Sequence, residues 1–597
     1  MAAATWSVCS ASDAAVDAIM RPGRLSVPCA ILAIWMAQPV PMALAQAIGG
    51  PGAVDLSSAA SNRVLDDIAL RIERSTGDPA RDADILAQAQ ARVGLAPGAR
   101  LSDGSITALE ARLRALIGVR DTRTRISGVP GQSARARVDI ALILAEERPE
   151  TAEAEFPYLL RGDRGQLRFI LGGGHGVFSD GNPWFGNAPA FTTGNPLVEN
   201  PAVGADTGSR STWVESWIEI GLGGVTQIGN TNSAIYGAVS GIGVASRGED
   251  IFRGDARQTF HLEKAYLGYL WGTEDGSRRV NLSFGRQNFS LNDGFLISQF
   301  GSQSNAGPRP GIYLAPRTTH DFAALATVKI DKWTGTGFFL NPNEYEPLET
   351  DTHLAGMNLR YNVTDRFYMD ATYVEAVKSR TRYAAPSGAI GTRDGLQTYA
   401  VHARWSDPDR MPGLWLEGEL AHQRHRDFRM RAWAGYGTVG YIARDRRWTP
   451  SLSYRFSAFS GDDPASATYE RFDALFSGGL SEWLQGISLG KLIRPENRLS
   501  HRLRFNVAPN PRLNLTLDYF LHRADERNNI GANPAIATLA SRDLGQEVQF
   551  AARWSISDQL FFLGIASVAF PGRAIEVAAG GSADPWTTLQ AQLFWSF

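Results

Sequence analysis

The strongest constraint on this chain is an alternation with the wrong kind of second face. Leu513, Leu515, Leu517, Tyr519 and Leu521 fall on one side of a period-two run, and Asn514, Thr516, Asp518 and Phe520 on the other. Leu503, Phe505 and Val507 oppose Arg502, Arg504 and Asn506. Val548, Phe550, Ala552, Trp554 and Ile556 oppose Glu547, Gln549, Arg553 and Ser555, and Ala355, Met357, Leu359 and Tyr361 oppose Asn358, Arg360 and Asn362. Period two means strands. Each run is about ten residues, enough to cross a bilayer core at a tilt. In a soluble sandwich, helices or a second sheet must cover every apolar face. No convincing helical run follows Pro157. A barrel with lipid outside and water inside accounts for both faces.

The final segment fits the same scheme. Leu589, Ala591, Leu593, Trp595 and Phe597 alternate with mostly polar residues. As a closing wall strand, it would turn Leu589, Ala591, Leu593 and Trp595 to lipid and Gln590 and Gln592 to the lumen.

Connection lengths supply a parity test. Short links near 223–230, 271–277, 330–331, 363–365, 406–413, 444–448, 508–512 and 555–558 alternate with long ones. The alternation holds if 486–493 stays inside one long loop. It predicts an all-β fold: an antiparallel transmembrane barrel of about 18 strands over 157–597, with both ends on the periplasmic side.

The 597 residues leave room for more than a barrel. Residues 1–45 read as a signal peptide: Arg21 and Arg24, an apolar run over 25–44, then Ala43-Leu44-Ala45. Met20 is a possible true start. The two cysteines, Cys9 and Cys29, both lie in this segment, so the exported protein relies on no disulfide. Residues 46–156 read as a small helical periplasmic region, because Leu65, Ile68 and Ile72, and Leu109, Leu113 and Leu116, recur at helical spacing. A helical spacer or partly disordered arm, and a docking arm for a periplasmic partner, fit it equally.

A net charge of −2 gives no footprint for nucleic acid. The negative mean hydropathy excludes a many-span helical membrane protein but not a barrel, whose inner face is polar. Nucleophile elbow, phosphate loop and His/Cys metal spacing are all missing from the sequence. His402, His422 and His425 are scattered. The reading is therefore a non-enzyme without cofactor or metal; a barrel enzyme with converging Ser, His and Asp is the remote alternative. Asp462, Asp463, Glu470 and Asp473 cluster on one predicted outer loop. Calcium is the sharp reading of that cluster, and a solvated or arginine-paired loop the plainer one.

The informative constellation is arginine at inward positions: Arg360, Arg404, Arg455, Arg502, Arg504 and Arg553, with Arg366 in the same phase on its strand. A charge facing lipid at the midplane costs about 2–4 kcal/mol, so these residues should line the pore. Glu417, Glu419, Asp518 and Glu547 share that lumen. The arginines serve as wall salt bridges, as substrate-binding groups for anions, or as both.

Two segments resemble the alginate-export family of outer-membrane barrels. One is Phe284-Gly285-Arg286-Gln287-Asn288-Phe289, followed by Asn292-Asp293-Gly294. The other runs from Ser451 through Ser460-Gly461-Asp462-Asp463 to Phe472-Asp473-Ala474-Leu475-Phe476-Ser477-Gly478. The likeness spans roughly 166–597 and excludes the N-terminal region. It implies an eighteen-stranded monomeric pore with an arginine-rich interior that passes an anionic polyuronate.

The expected function is thus a passive outer-membrane channel for anionic polysaccharide or small organic anions. Expected partners are outer-membrane lipid, lipopolysaccharide and the barrel assembly machinery, with the pore a monomer. Loops 290–317 and 461–497 are candidates to fold into the pore and gate it. The alternative is a barrel anchor that docks a periplasmic partner through the N-terminal arm.

Overall fold

The computed structural model describes residues 64–144 in part, and 156–597 apart from 193–208, 299–312, 315–318 and a few shorter stretches. The expected signal peptide lies outside the described residues. The chain opens with β1 (Val64–Arg74), α1 (Pro79–Arg92), β2 (Val119–Val129) and β3 (Gln132–Leu144). These form a three-stranded sheet of order β1-β3-β2, with β1 parallel and β2 antiparallel to β3. Asp78 caps α1 by accepting from the amides of Ala80 and Arg81. Ile85, Ala89, Leu109, Leu113, Val138 and Ile140 build a core that belongs to this module alone.

The helical expectation for 46–156 is therefore corrected in part. Leu109 and Leu113 do carry helical backbone. Leu65, Ile68 and Ile72 lie on β1. Their spacing has a physical cause: the register shifts between Leu65 and Asp67, so one extra residue separates Leu65 from the later period-two set Ile68, Leu70 and Ile72. A bulged strand imitates a helix in this count.

A short strand, β4 (Tyr158–Gly162), turns into β5 (Gly165–Gly181). The wall continues through β6 (Arg210–Gln227), β7 (Ser233–Glu249), β8 (Arg257–Gly272), β9 (Arg278–Arg286), β10 (Phe322–Ile330), β11 (Trp333–Asn341), β12 (His353–Thr364) and β13 (Phe367–Lys378). A small hairpin of β14 (Arg382–Ala385) and β15 (Gly388–Thr392) stands apart from the wall. The wall resumes with β16 (Leu396–Ser406), β17 (Leu414–His425), β18 (Ala432–Ile442), β19 (Ser451–Phe459), β20 (Arg498–Asn510) and β21 (Leu513–Ala524). It finishes with β22 (Asp543–Ser555), β23 (Leu560–Pro571) and β24 (Trp586–Ser596).

Nine strands from β5 to β13 and nine from β16 to β24 close an antiparallel barrel of eighteen, with β24 sealed against β5. At that seam β24 pairs with Gly172–Gly181, β4 pairs with the start of β5, and the Phe597 amide donates to the Leu171 carbonyl. A side chain at Gly173 would collide with the Trp595 ring, so the glycine lets that ring lie flat across the closure.

The two faces divide as the alternation requires. Phe260, Leu420 and Met357 are 73%, 63% and 57% exposed on the outside. So large a band of exposed apolar side chains suits lipid, not water. Inward residues of the same strands, such as Arg502, Asp518, Glu547 and Gln590, are buried. The lumen is filled from the long-loop end. Phe289, Phe295, Leu296 and Ile297 of the β9–β10 loop pack with Phe472, Phe476 and Trp483 of the β19–β20 loop, against wall residues Tyr436 and Phe459.

Candidate functional site

The two loops named from sequence enter the barrel and meet each other. Ile297 and Phe476 form a parallel bridge. The Ser298 amide donates to the Phe476 carbonyl at 3.0 Å, and the Phe476 amide to the Leu296 carbonyl at 3.2 Å. The two motif segments thus carry neighbouring pieces of one inward structure. Trp483 is wedged beside Phe295, with ring centroids 4.9 Å apart, and its indole N–H points to Asp293 at 3.3 Å.

This wedge delivers Glu482 to the wall. Its carboxylate lies 2.5 Å from Arg502, 3.0 Å from Arg504 and 3.7 Å from Arg455. Arg504 also holds Asp518 in a two-pronged pair at 2.7 and 2.9 Å. Arg455 donates to Thr438 at 2.8 Å, lies 3.6 Å from Asp293, and stacks over the Tyr436 and Trp483 rings at 4.8 Å. Burial alone would raise the Glu482 carboxyl; the charges of Arg502, Arg504 and Arg455 overcome that and hold it well below the usual carboxylate range. Arg553 lies on β22 at the position paired with Asn514 of β21, half-buried. Among the described residues it has no hydrogen-bond or ion-pair partner.

The remaining predicted arginines go elsewhere. Arg360 pairs with Asp370 at 3.1 Å, donates to Asn292 at 2.9 Å, and lies over the Tyr368 ring. Arg404 pairs with Glu417 at 2.8 Å and is reached by Asp66 of β1 at 3.6 Å. His402 sits between Asp370 at 3.0 Å and Glu417 at 3.3 Å. This second wall section, β12 to β17, is rich in carboxylates that neutralise its arginines. Arg366 is corrected: it lies exposed in the turn between β12 and β13, because β12 ends at Thr364 and the inward phase ends with it.

The acidic loop cluster does not converge on one point. Asp473 pairs with Arg393 at 2.7 Å and accepts from Tyr383, and its amide donates to the Gln423 Oε1 at 2.8 Å. Asp462 accepts from the Glu470 amide at 3.0 Å. Asp463 accepts from the Ala465 amide at 2.9 Å. Among the described residues no three acidic, His or Cys groups gather as a metal site. Glu482, Asp293, Trp483 and Asp66 complete the lumen and were not singled out from sequence. Three of them sit in loops, where no periodicity marks a facing side, although Asp293 falls inside the first motif segment.

The alginate export model covers residues 246–587, more than half of the chain. The chain belongs to the alginate-export family. The alginate-export barrel lies in the bacterial outer membrane and forms a channel of that membrane, with its short turns at the periplasmic end and its long loops outside. Among solved structures it is similar to Pseudomonas aeruginosa OccK5 (OpdH), at 11% identity and TM-score 0.42, over 72% of this chain and 98% of that one. Acinetobacter baumannii OccAB2 gives 10% and 0.42 over 72% and 98%, and the outer membrane protein OprD from Pseudomonas aeruginosa 10% and 0.41 over 72% and 94%. No curated protein sequence is similar enough to match it.

Proposed function

We propose that this alginate-export barrel is a passive channel for anionic saccharides, uronate polymers among them, and that it performs no catalytic step. The observation that carries the reading is the seat of Glu482. One carboxylate is held there by three lumen arginines on two adjacent strands. A uronate presents the same group. Arg553, which forms no ion pair among the described residues, extends the basic surface around the wall. Guanidinium pairs with carboxylate through two parallel hydrogen bonds, which favours carboxylates over spherical anions. Arg360 and Arg404, each neutralised by a wall carboxylate, have a structural share in this scheme. Arg504, held by Asp518 of the wall, shares that structural part while facing the same carboxylate. The pore-lining set that selects solute is Arg455, Arg502 and Arg553.

The test is conductance of the purified protein in a planar bilayer under a salt gradient, followed by added oligouronate. The expected outcome is an anion-selective reversal potential and current block by oligouronate, with a neutral oligosaccharide of the same length blocking far less. Cation selectivity, or equal block by both sugars, would reject the reading.

A further inference from the structure

Two contacts between described residues of the N-terminal module and the barrel are far apart on the wall. Arg114 donates to Gln166, the second residue of β5. Asp66 lies 3.6 Å from Arg404, two residues before the end of β16. Both wall residues are at the periplasmic end: β5 rises from there, and β16 descends into the short 407–413 turn. In the ring, β16 is nine strands from β5, in a barrel of eighteen. The two contacts are therefore on opposite walls. A body that touches both lies across the mouth.

We propose that residues 64–144 form a plug that spans the periplasmic mouth of the pore, held shut by the Asp66–Arg404 ion pair and the Arg114–Gln166 hydrogen bond. The size agrees. A compact body of about 80 residues has a radius of gyration of about 12 Å and is roughly 30 Å across. Eighteen tilted strands spaced about 4.8 Å apart place opposite backbone walls roughly 35 Å apart, less the depth of their side chains. The chemistry agrees too. Asp66 presents a carboxylate to an arginine at the mouth, where an arriving or leaving anion would meet the same group. The hold is releasable, because among the described residues the apolar core of the module is closed upon itself and includes no wall residue. Polar contacts, not a shared core, keep the plug in place.

The test uses the full chain in planar bilayers, comparing wild type with Asp66→Arg and with Asp66→Arg/Arg404→Asp. Heat-modifiable migration checks that each barrel is folded. Repulsion in the single variant should raise mean current several-fold over wild type, and the charge-swapped double variant should close again. A second pair, Asp66→Cys/Arg404→Cys, should be shut when oxidised and open when reduced; the protein's own cysteines, Cys9 and Cys29, precede the module. Current in Asp66→Arg equal to wild type, or a double variant as open as the single one, would overturn the proposal. Ion selectivity of the opened single variant, read in the same records, tests the anion reading separately. A cation-selective but openable channel would reject that reading and leave the plug standing.

Discussion

Arg455 and Arg502 stand directly opposite each other on β19 and β20, and the carboxylate of Glu482 lies within reach of both. Like charges directly opposite across a ladder are destabilising. The strand pair tolerates this one because a loop carboxylate is inserted beside it, and Arg504 two residues along shares the same acid. The closed loop and the basic wall therefore depend on each other.

Glu482→Gln should loosen the β19–β20 loop and leave the arginines free for solute. Removing one partner of a buried ion pair costs about 3–5 kcal/mol, so the inward loop should lose its seat. Recorded in the Asp66→Arg background, where the N-terminal module does not limit the current, open-channel current should rise and anion selectivity should strengthen in planar bilayers. Unchanged current and an unchanged reversal potential would show that Glu482 does not hold the loop.

Acid should not open the channel easily. The Glu482 carboxyl is depressed while it is seated among the arginines. Its contribution to the closed loop is complete above the ordinary carboxylate range, and is lost only as pH falls through the lower, seated value. Current recorded at pH 7 and at about pH 4.5, close to the ordinary glutamate value, should differ little through this group. Opening with a midpoint in the ordinary carboxylate range would contradict the geometry.

Arg553 and Arg504 should separate selectivity from stability. Arg553→Ala removes a cation that forms no ion pair among the described residues, so it should lower anion selectivity while thermal unfolding stays within about 0.5 kcal/mol of wild type. Arg504→Ala leaves Asp518 and Glu482 short of a partner and should destabilise the barrel by about 3–5 kcal/mol. Arg366→Ala, in the exposed turn, should change neither quantity. Heat-modifiable migration against temperature and reversal potential in bilayers measure the two properties independently.

How much of this was legible follows from where periodicity reaches. The strand runs at Leu513–Leu521 and Glu547–Ile556 lie almost wholly within β21 and β22, because lipid on one side and water on the other impose a strict alternation there. The short link expected near 223–230 begins later than that, because β6 continues to Gln227. Side chains at Gly221 and Gly224 would press on neighbouring strand backbone, so these glycines serve close packing rather than turning. Inward phase found Arg455, Arg502, Arg504 and Arg553 but could not find Glu482, which reaches the lumen from a loop. In the N-terminal module a bulge in β1 displaces Leu65 from the alternating set, so the spacing there imitates a helix.

The outward face gives a last prediction, with an internal control. Leu589 and Thr588 are neighbours on β24; Leu589 is 49% exposed on the lipid side, and Thr588 is buried on the lumen side, where it bonds Ser488 at 3.0 Å. Leu589→Arg places a charge against lipid at a cost of about 2–4 kcal/mol near the midplane. It also does so on the strand that must pair with β5 to close the ring. Assembly should fall, seen as loss of the heat-modifiable band from outer-membrane fractions. Leu589→Ala keeps the pairing and removes only the apolar side chain, so it should assemble close to normally. If Leu589→Arg assembles as well as Leu589→Ala, that face does not meet lipid, and the assignment of inside and outside fails for β24.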